Sequence, residues 1–125
     1  MNTFRRAVES KDLALISAIL APDIIFNSPA MVKPYHGRDQ VMALMRALVQ
    51  TFEDFIYTDE LVADDETQSR ALIFGATIAG KRVQGVDLVR YNEEGFITDL
   101  TVMVRPLPAA MTLARMVGKL MEAAA

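Results

Sequence analysis

Cysteine is absent from this 125-residue chain. That excludes a disulfide framework, a thiol nucleophile and a cysteine-ligated metal, and it fits a reducing compartment, so a cytoplasmic setting is expected. Positive charge is scarce too: thirteen Lys and Arg face sixteen Asp and Glu, for a net charge of -3 and a pI near 5.1. No basic cluster and no basic-aromatic interleaving occurs, so nucleic acid is not an expected partner. No apolar run reaches membrane length. The opening Met1-Asn2-Thr3-Phe4-Arg5-Arg6 meets Glu9, Lys11 and Asp12 before any signal core could form, and no membrane association is expected. The single histidine, His36, has no carboxylates spaced to join it around a metal. Asp64-Asp65-Glu66 lacks calcium-loop spacing and reads as a solvated turn. With no phosphate-cradling loop and no dinucleotide fingerprint, neither cofactor nor metal is expected.

What is present is apolar content, 52% of the chain, enough for one core in one domain spanning residues 1–125. The first 20 residues carry two apolar stripes, Phe4-Ala7-Val8 and Leu13-Ile16-Ala18-Ile19-Leu20. Asp12 between them is a plausible N-cap, so a bent helix or two joined helices is predicted. Ala21-Pro22-Asp23 should end the helix. A short strand, Ile24 to Ser28, stops at Pro29. A loop then carries Tyr35 and His36 to Gly37-Arg38-Asp39, where a strong helix begins. Its Val41, Leu44, Met45, Leu48, Val49 and Phe52 share one face.

From Phe55 the apolar period changes to two. Strands are predicted over Phe55–Ala63, Arg70–Ala79, Arg82–Tyr91 and Ile97–Val104, joined by tight turns as an antiparallel meander. Pro106 and Pro108 end it, and Ala109–Glu122 is a final amphipathic helix. The methionines fall at helical or strand spacing and read as core filler. The fold class is therefore α+β: a curved antiparallel sheet wrapped around helices as a cone, bent at Gly75, Gly80 and Gly85. The open end of a cone is the natural ligand site.

The stretch Gly85-Val86-Asp87-Leu88-Val89-Arg90-Tyr91 carries the one acid set among apolar neighbours. Alternation puts Asp87 on a face with Gly85, Val89 and Tyr91, opposite Leu100, Val102 and Val104. If that face points inward, burial raises the acid's pKa and makes it a hydrogen-bond donor near neutral pH. The alternative is a carboxylate that pins the sheet. The candidate site is thus Asp87 as acid or donor, with Tyr35, His36, Phe52, Tyr57, Val89, Leu100, Val102 and Val104 binding a small apolar molecule. Whether Phe55 and Tyr57 or Ile56 and Thr58 face the cavity stays open. Ser28 has no base and no elbow glycines near it, and reads as a strand-end hydroxyl.

Ile25-Phe26-Asn27-Ser28-Pro29, then Tyr35-His36-Gly37-Arg38-Asp39 opening a helix, resembles the front half of the nuclear transport factor 2-like superfamily. That group includes ketosteroid isomerases, SnoaL-like polyketide cyclases and limonene epoxide hydrolases. The Gly85–Tyr91 strand with Gly95-Phe96-Ile97 resembles the paired last strands of the same group. The resemblance implies a cystatin-like α+β barrel with an apolar pocket, and a homodimer formed through the outer sheet face. It also implies that Asp87 falls where the isomerases keep a protonated aspartic acid. Ser28 stands where they place a base and Phe4 where they place a tyrosine donor, so one of three roles is retained. For the hydrolases, Arg70 is present, but Leu72 and Val102 replace the acids of the relay. The cyclases use a histidine-aspartate pair, and His36 lies off the relevant strands. The expected function is small apolar ligand binding; the alternative is an isomerase, cyclase or lyase for steroid-, polyketide- or terpene-like substrates.

Overall fold

The computed structural model of the chain describes residues 3–124. Residues 3–19 form two short helices, α1 (Thr3–Glu9) and α2 (Leu13–Ile19). Asp12 caps α2 as expected, accepting a 3.0 Å hydrogen bond from the Leu15 amide. Leu20 is the C-cap of α2 and also the first residue of β1 (Leu20–Asn27). Strand β1 thus starts four residues earlier than predicted and runs through Pro22, which should have separated helix from strand. Between Leu20 and Ile25 the pairing register is broken, and Pro22 lies within that irregularity, where its missing amide costs the ladder nothing.

Tyr35 and His36, expected in a loop, form the two-residue strand β2 against Phe26 and Ile25. Helix α3 (Arg38–Thr51) follows. Gly37, at φ +85°, is its N-cap, a backbone region that favours glycine. Arg38 anchors the helix start by donating to the Leu20 carbonyl at 2.8 and 3.2 Å. Of the predicted apolar face, Val41, Leu44, Met45, Leu48 and Phe52 are buried and Val49 is half-buried; Met42 and Ala47 are buried beside them.

The rest is β3 (Glu53–Val62), β4 (Arg70–Ile78), β5 (Lys81–Tyr91), β6 (Ile97–Arg105) and α4 (Leu107–Ala124). All six strands join one curved, unclosed sheet in the order β2-β1-β6-β5-β4-β3. The meander β3–β6 is antiparallel as predicted, but β1 pairs with β6 in parallel, so the sheet is mixed. The chain crosses over through α3 into β3 at the far edge, antiparallel to β1, and the three reversals of the meander bring β6 back parallel to it. Helix α4 begins at Leu107, two residues before the predicted start, and Pro108 fits its first turn because no intrahelical donor is needed there.

The inner sheet face alternates cleanly. Leu72, Phe74, Ala76 and Ile78 on β4, Val83 and Val89 on β5, and Leu100 and Val102 on β6 are buried. Of Gly75, Gly80 and Gly85, it is Gly85 that the packing requires: a Cβ there would lie 2.2 Å from Phe74 Cζ. Met42 and Met45 are core, as read from the sequence, but Met31, Met103 and Met111 are more than half exposed. Met103 falls outward by strand alternation, which composition alone does not reveal.

Candidate functional site

Asp87 is the one buried charged side chain among the described residues, with 5% of its surface exposed. It sits on the inner row of β5, opposite Val102 on β6 and Leu72 on β4. Its Oδ2 accepts a 2.5 Å hydrogen bond from the Tyr57 hydroxyl on β3. Tyr57 is the one hydrogen-bond donor to this carboxyl group among the described residues, and Asp87 lines a small cavity. Burial is the larger influence on this acid and raises its pKa from 3.8 to about 7; the Tyr57 hydrogen bond pulls the other way. Burial, then the charge of Asp87, pushes the Tyr57 hydroxyl well above its usual value of 10, so the phenol keeps its proton.

Tyr57 is held from behind. Strand β3 is a sheet edge, and its backbone groups at position 57 would otherwise face outward unpaired. Helix α1 supplies both partners from side chains one turn apart: the Tyr57 amide donates to Glu9 Oε2 at 3.0 Å, and Arg5 donates to the Tyr57 carbonyl at 3.2 Å. Arg5 also lies 3.6 Å from Glu9 and 3.9 Å from Glu60, and Glu60 pairs with Arg70. The pairing of β3 with β4 shifts register between Tyr57 and Asp59, a bulge next to the donor. Phe55 and Tyr57 are the inward pair on β3, since Ile56 is 57% exposed, which resolves the alternative left by the sequence.

The cavity beside Asp87 holds about 40 Å³. Its deep wall is buried Phe4, Phe26, Phe52, Phe74, Leu100 and Val102; half-buried Val8, Val49 and Phe55 with exposed Lys11 form the rim. A pocket for a drug-sized ligand is typically ~300 Å³ or more. The cone is instead filled by an aromatic cluster. Phe55 stacks on Phe74 at 4.6 Å between ring centres, and Phe52 and Tyr57 meet Phe55 edge-on at 5.4 and 4.9 Å. A second apolar cavity of about 90 Å³ lies under α4, lined by Ser28, Tyr35, Leu113, Val117 and Met121 among others. Phe26 and Leu48 form part of both walls.

Of the residues expected around Asp87, the structure brings Phe52, Tyr57, Leu100 and Val102 to it. Tyr35 lies in the second cavity, its hydroxyl 4.0 Å from Met121 Sδ. Val89 is completely buried and lines a groove at the β3–β5 end with Leu61, Arg70 and Leu88, away from the cavity of Asp87, and Val104 lines an outer groove with Val86 and Met103. His36 is exposed on the edge strand, where its amide donates to Gln40, and it is far from any chemistry with Asp87. Ser28 accepts from the Ala30 and Met31 amides at 3.3 and 3.0 Å, a turn role. The sequence reading missed Val8, Lys11, Phe26, Met45, Leu48, Val49 and Phe74 on this wall. Period-two alternation already put Phe74 inward, but no local pattern tells where α1 docks. Among the described residues no group of His, Asp and Glu could hold a metal, and no described helix is long and apolar enough to cross a membrane.

Chemically, this is a carboxylic acid poised near neutrality beside a protonated phenol in a dry wall. It can donate a hydrogen bond to, or protonate, an oxygen placed in the cavity. Among the described residues, no second acid or imidazole lines that cavity to serve as a base.

The family model for the SnoaL-like domain matches residues 1–100, ending within β6 and leaving α4 beyond it. A steroid delta-isomerase from Pseudomonas aeruginosa is 32% identical with a TM-score of 0.87, over 93% of this chain and 84% of that one. An uncharacterised protein with a cystatin-like fold from Silicibacter pomeroyi is 31% identical with a TM-score of 0.87, over 94% and 81%. An NTF2-like protein of unknown function from Cytophaga hutchinsonii, 21% identical over 86% and 88% with a TM-score of 0.64, shares the fold. No curated protein matches the chain.

The pKa of Asp87 fixes a pH dependence. Its folded value is about 7 and its ordinary value 3.8, so between these the folded protein holds a proton that the unfolded chain has released. Stability therefore falls as pH rises through this window and levels off above about 7, with a slope of up to ~1.4 kcal/mol per pH unit. Urea unfolding from pH 4.5 to 7.5 should show this slope in the wild type and its loss in Asp87→Asn. Parallel profiles for the two proteins would refute the assignment.

Proposed function

The chain belongs to the SnoaL-like domain family, and on that premise we propose that it binds a small apolar molecule through one of its oxygens, with Asp87 and Tyr57 as the recognising pair. The observation that carries this reading is a buried Asp87 whose hydrogen bond among the described residues comes from Tyr57 to Oδ2, while its carboxyl group lines an apolar cavity. Because the cavity holds only about 40 Å³, the ligand enters by displacing rim side chains. Phe55, half-buried on the edge strand, is the side chain best placed to yield.

The second reading is an isomerase, cyclase or lyase with Asp87 as acid. It is favoured by the 32% identity to a protein named as a steroid delta-isomerase. Ser28 opposes it for base-dependent isomerisation, because its hydroxyl is engaged with the Ala30 and Met31 amides and lines the other cavity.

The same reading includes a homodimer through the outer sheet face and a cytoplasmic location. The dimer is supported by Ile56, Leu61 and Met103, each more than half exposed on that face and apolar beyond what a monomer needs there. The location is supported by the absence of cysteine.

Fluorescence titration with 2-naphthol, an apolar body with one hydroxyl, tests the binding reading. Asp87→Asn keeps a hydrogen-bonding group and should retain affinity within a few fold; Asp87→Leu should weaken it about tenfold or more, the size of a lost buried hydrogen bond. Phe55→Ala should tighten it by opening the cavity. Equal affinity in wild type and Asp87→Leu would sink the proposal, and turnover lost selectively in Asp87→Asn would favour the enzyme. For the dimer, sedimentation should give twice the chain mass for the wild type and a monomer for Met103→Glu; a wild-type monomer contradicts it.

A further inference from the structure

Among the described residues, Lys11 is the one cationic residue lining the cavity of Asp87. Its backbone has φ +55°, the left-handed region in which a side chain costs roughly 1 kcal/mol relative to glycine. The turn between α1 and α2 imposes that conformation: the Asp12 amide bonds the Ala7 carbonyl at 2.9 Å and the Lys11 amide bonds the Val8 carbonyl at 3.1 Å. This is a Schellman arrangement, for which glycine is the usual residue at position 11. Helix termination therefore does not explain a lysine here, and a strained residue at a cavity rim points to a use for its side chain.

The side chain lies across the rim. Its Nζ donates to the Phe52 carbonyl at 3.1 Å, which engages one of three ammonium donors. Among the described residues no carboxylate pairs with it. The neighbouring Asp12 is occupied in capping the Leu15 amide, and Glu53 and Asp54 beyond Phe52 point to solvent. The cavity thus has a hydrogen-bonding acid on its floor, apolar walls, and a cation with spare donors at its rim.

We infer that the site takes an apolar acid: its body lies in the cavity, its neutral oxygen meets Asp87, which Tyr57 holds in place, and its carboxylate pairs with Lys11 at the rim. This rests on the binding reading above and adds the charge of the ligand to it. Lys11 is then the specificity-determining residue.

The test compares two probes with the same apolar body and hydroxyl, 2-naphthol and 6-hydroxy-2-naphthoate, by fluorescence titration in low salt. The readout is the ratio of their dissociation constants. Wild-type protein should bind the naphthoate about five- to tenfold more tightly, the size of a partly exposed charge-assisted hydrogen bond, and added salt should shrink that preference. Lys11→Gln should bring the ratio to one or below. Lys11→Gly, which relieves the backbone strain and keeps the turn, should do the same. A wild-type ratio of one or less, or a preference surviving in both variants, overturns this inference while leaving 2-naphthol binding to stand. If wild-type protein binds neither probe, the binding reading falls and this inference with it.

Discussion

Taking one carboxylate out of water is the constraint on which this site depends. An ionised acid in an apolar wall costs several kcal/mol unless it is neutralised or well bonded. At Asp87 both remedies operate in part: burial lifts its pKa to about 7, and the Tyr57 phenol donates to it. The donor is delivered by more than its own strand. Edge strand β3 bulges after Tyr57, and Arg5 and Glu9 of α1 close its backbone hydrogen bonds. Gly85, two residues from Asp87, leaves room for the Phe74 ring that backs both Phe55 and Tyr57. Helix, edge strand and aromatic cluster therefore meet at one hydrogen bond.

The β5–β6 half of this arrangement was legible in the sequence because alternation is a local signal. Alternation put Asp87 and Val89 on one face opposite the run Leu100, Val102 and Val104, while the exact partners, Val102 for Asp87 and Leu100 for Val89, depend on a register shift beside the Asn92–Gly95 turn that counting does not show. The α3 stripe and the Asp12 cap are equally local. Contacts set by docking were not legible. Tyr57 reaches Asp87 across β4, and α1 brings Phe4, Val8 and Lys11 to the cavity by a path no period encodes. Tyr35 and His36 were placed near Asp87 by proximity to the loop. The pairing of β2 with β1 instead sends His36 to solvent and Tyr35 under α4.

The size of the cavity is the other feature that composition hides. Four aromatic rings, Phe52, Phe55, Tyr57 and Phe74, interlock on the inner face at ring separations of 4.6 to 6.2 Å. They convert a fold with an open cone into one whose interior is divided between about 40 Å³ beside Asp87 and about 90 Å³ under α4. Edge-to-face rings are held by modest energies, roughly 0.5–1.5 kcal/mol per pair beyond their burial, so a ligand of comparable apolar area can replace them. On the proposed function, binding is a competition between the chain's own aromatic side chains and the apolar body of a ligand for the same wall.

The central claim is that Asp87 is a buried acid half-protonated near neutrality. Carboxyl-carbon NMR titration of the wild-type protein, with Asp87→Asn identifying the resonance, measures it directly. The account predicts a midpoint of about 7. A midpoint at or below the ordinary 3.8 would mean a solvated or strongly paired carboxylate and would contradict it.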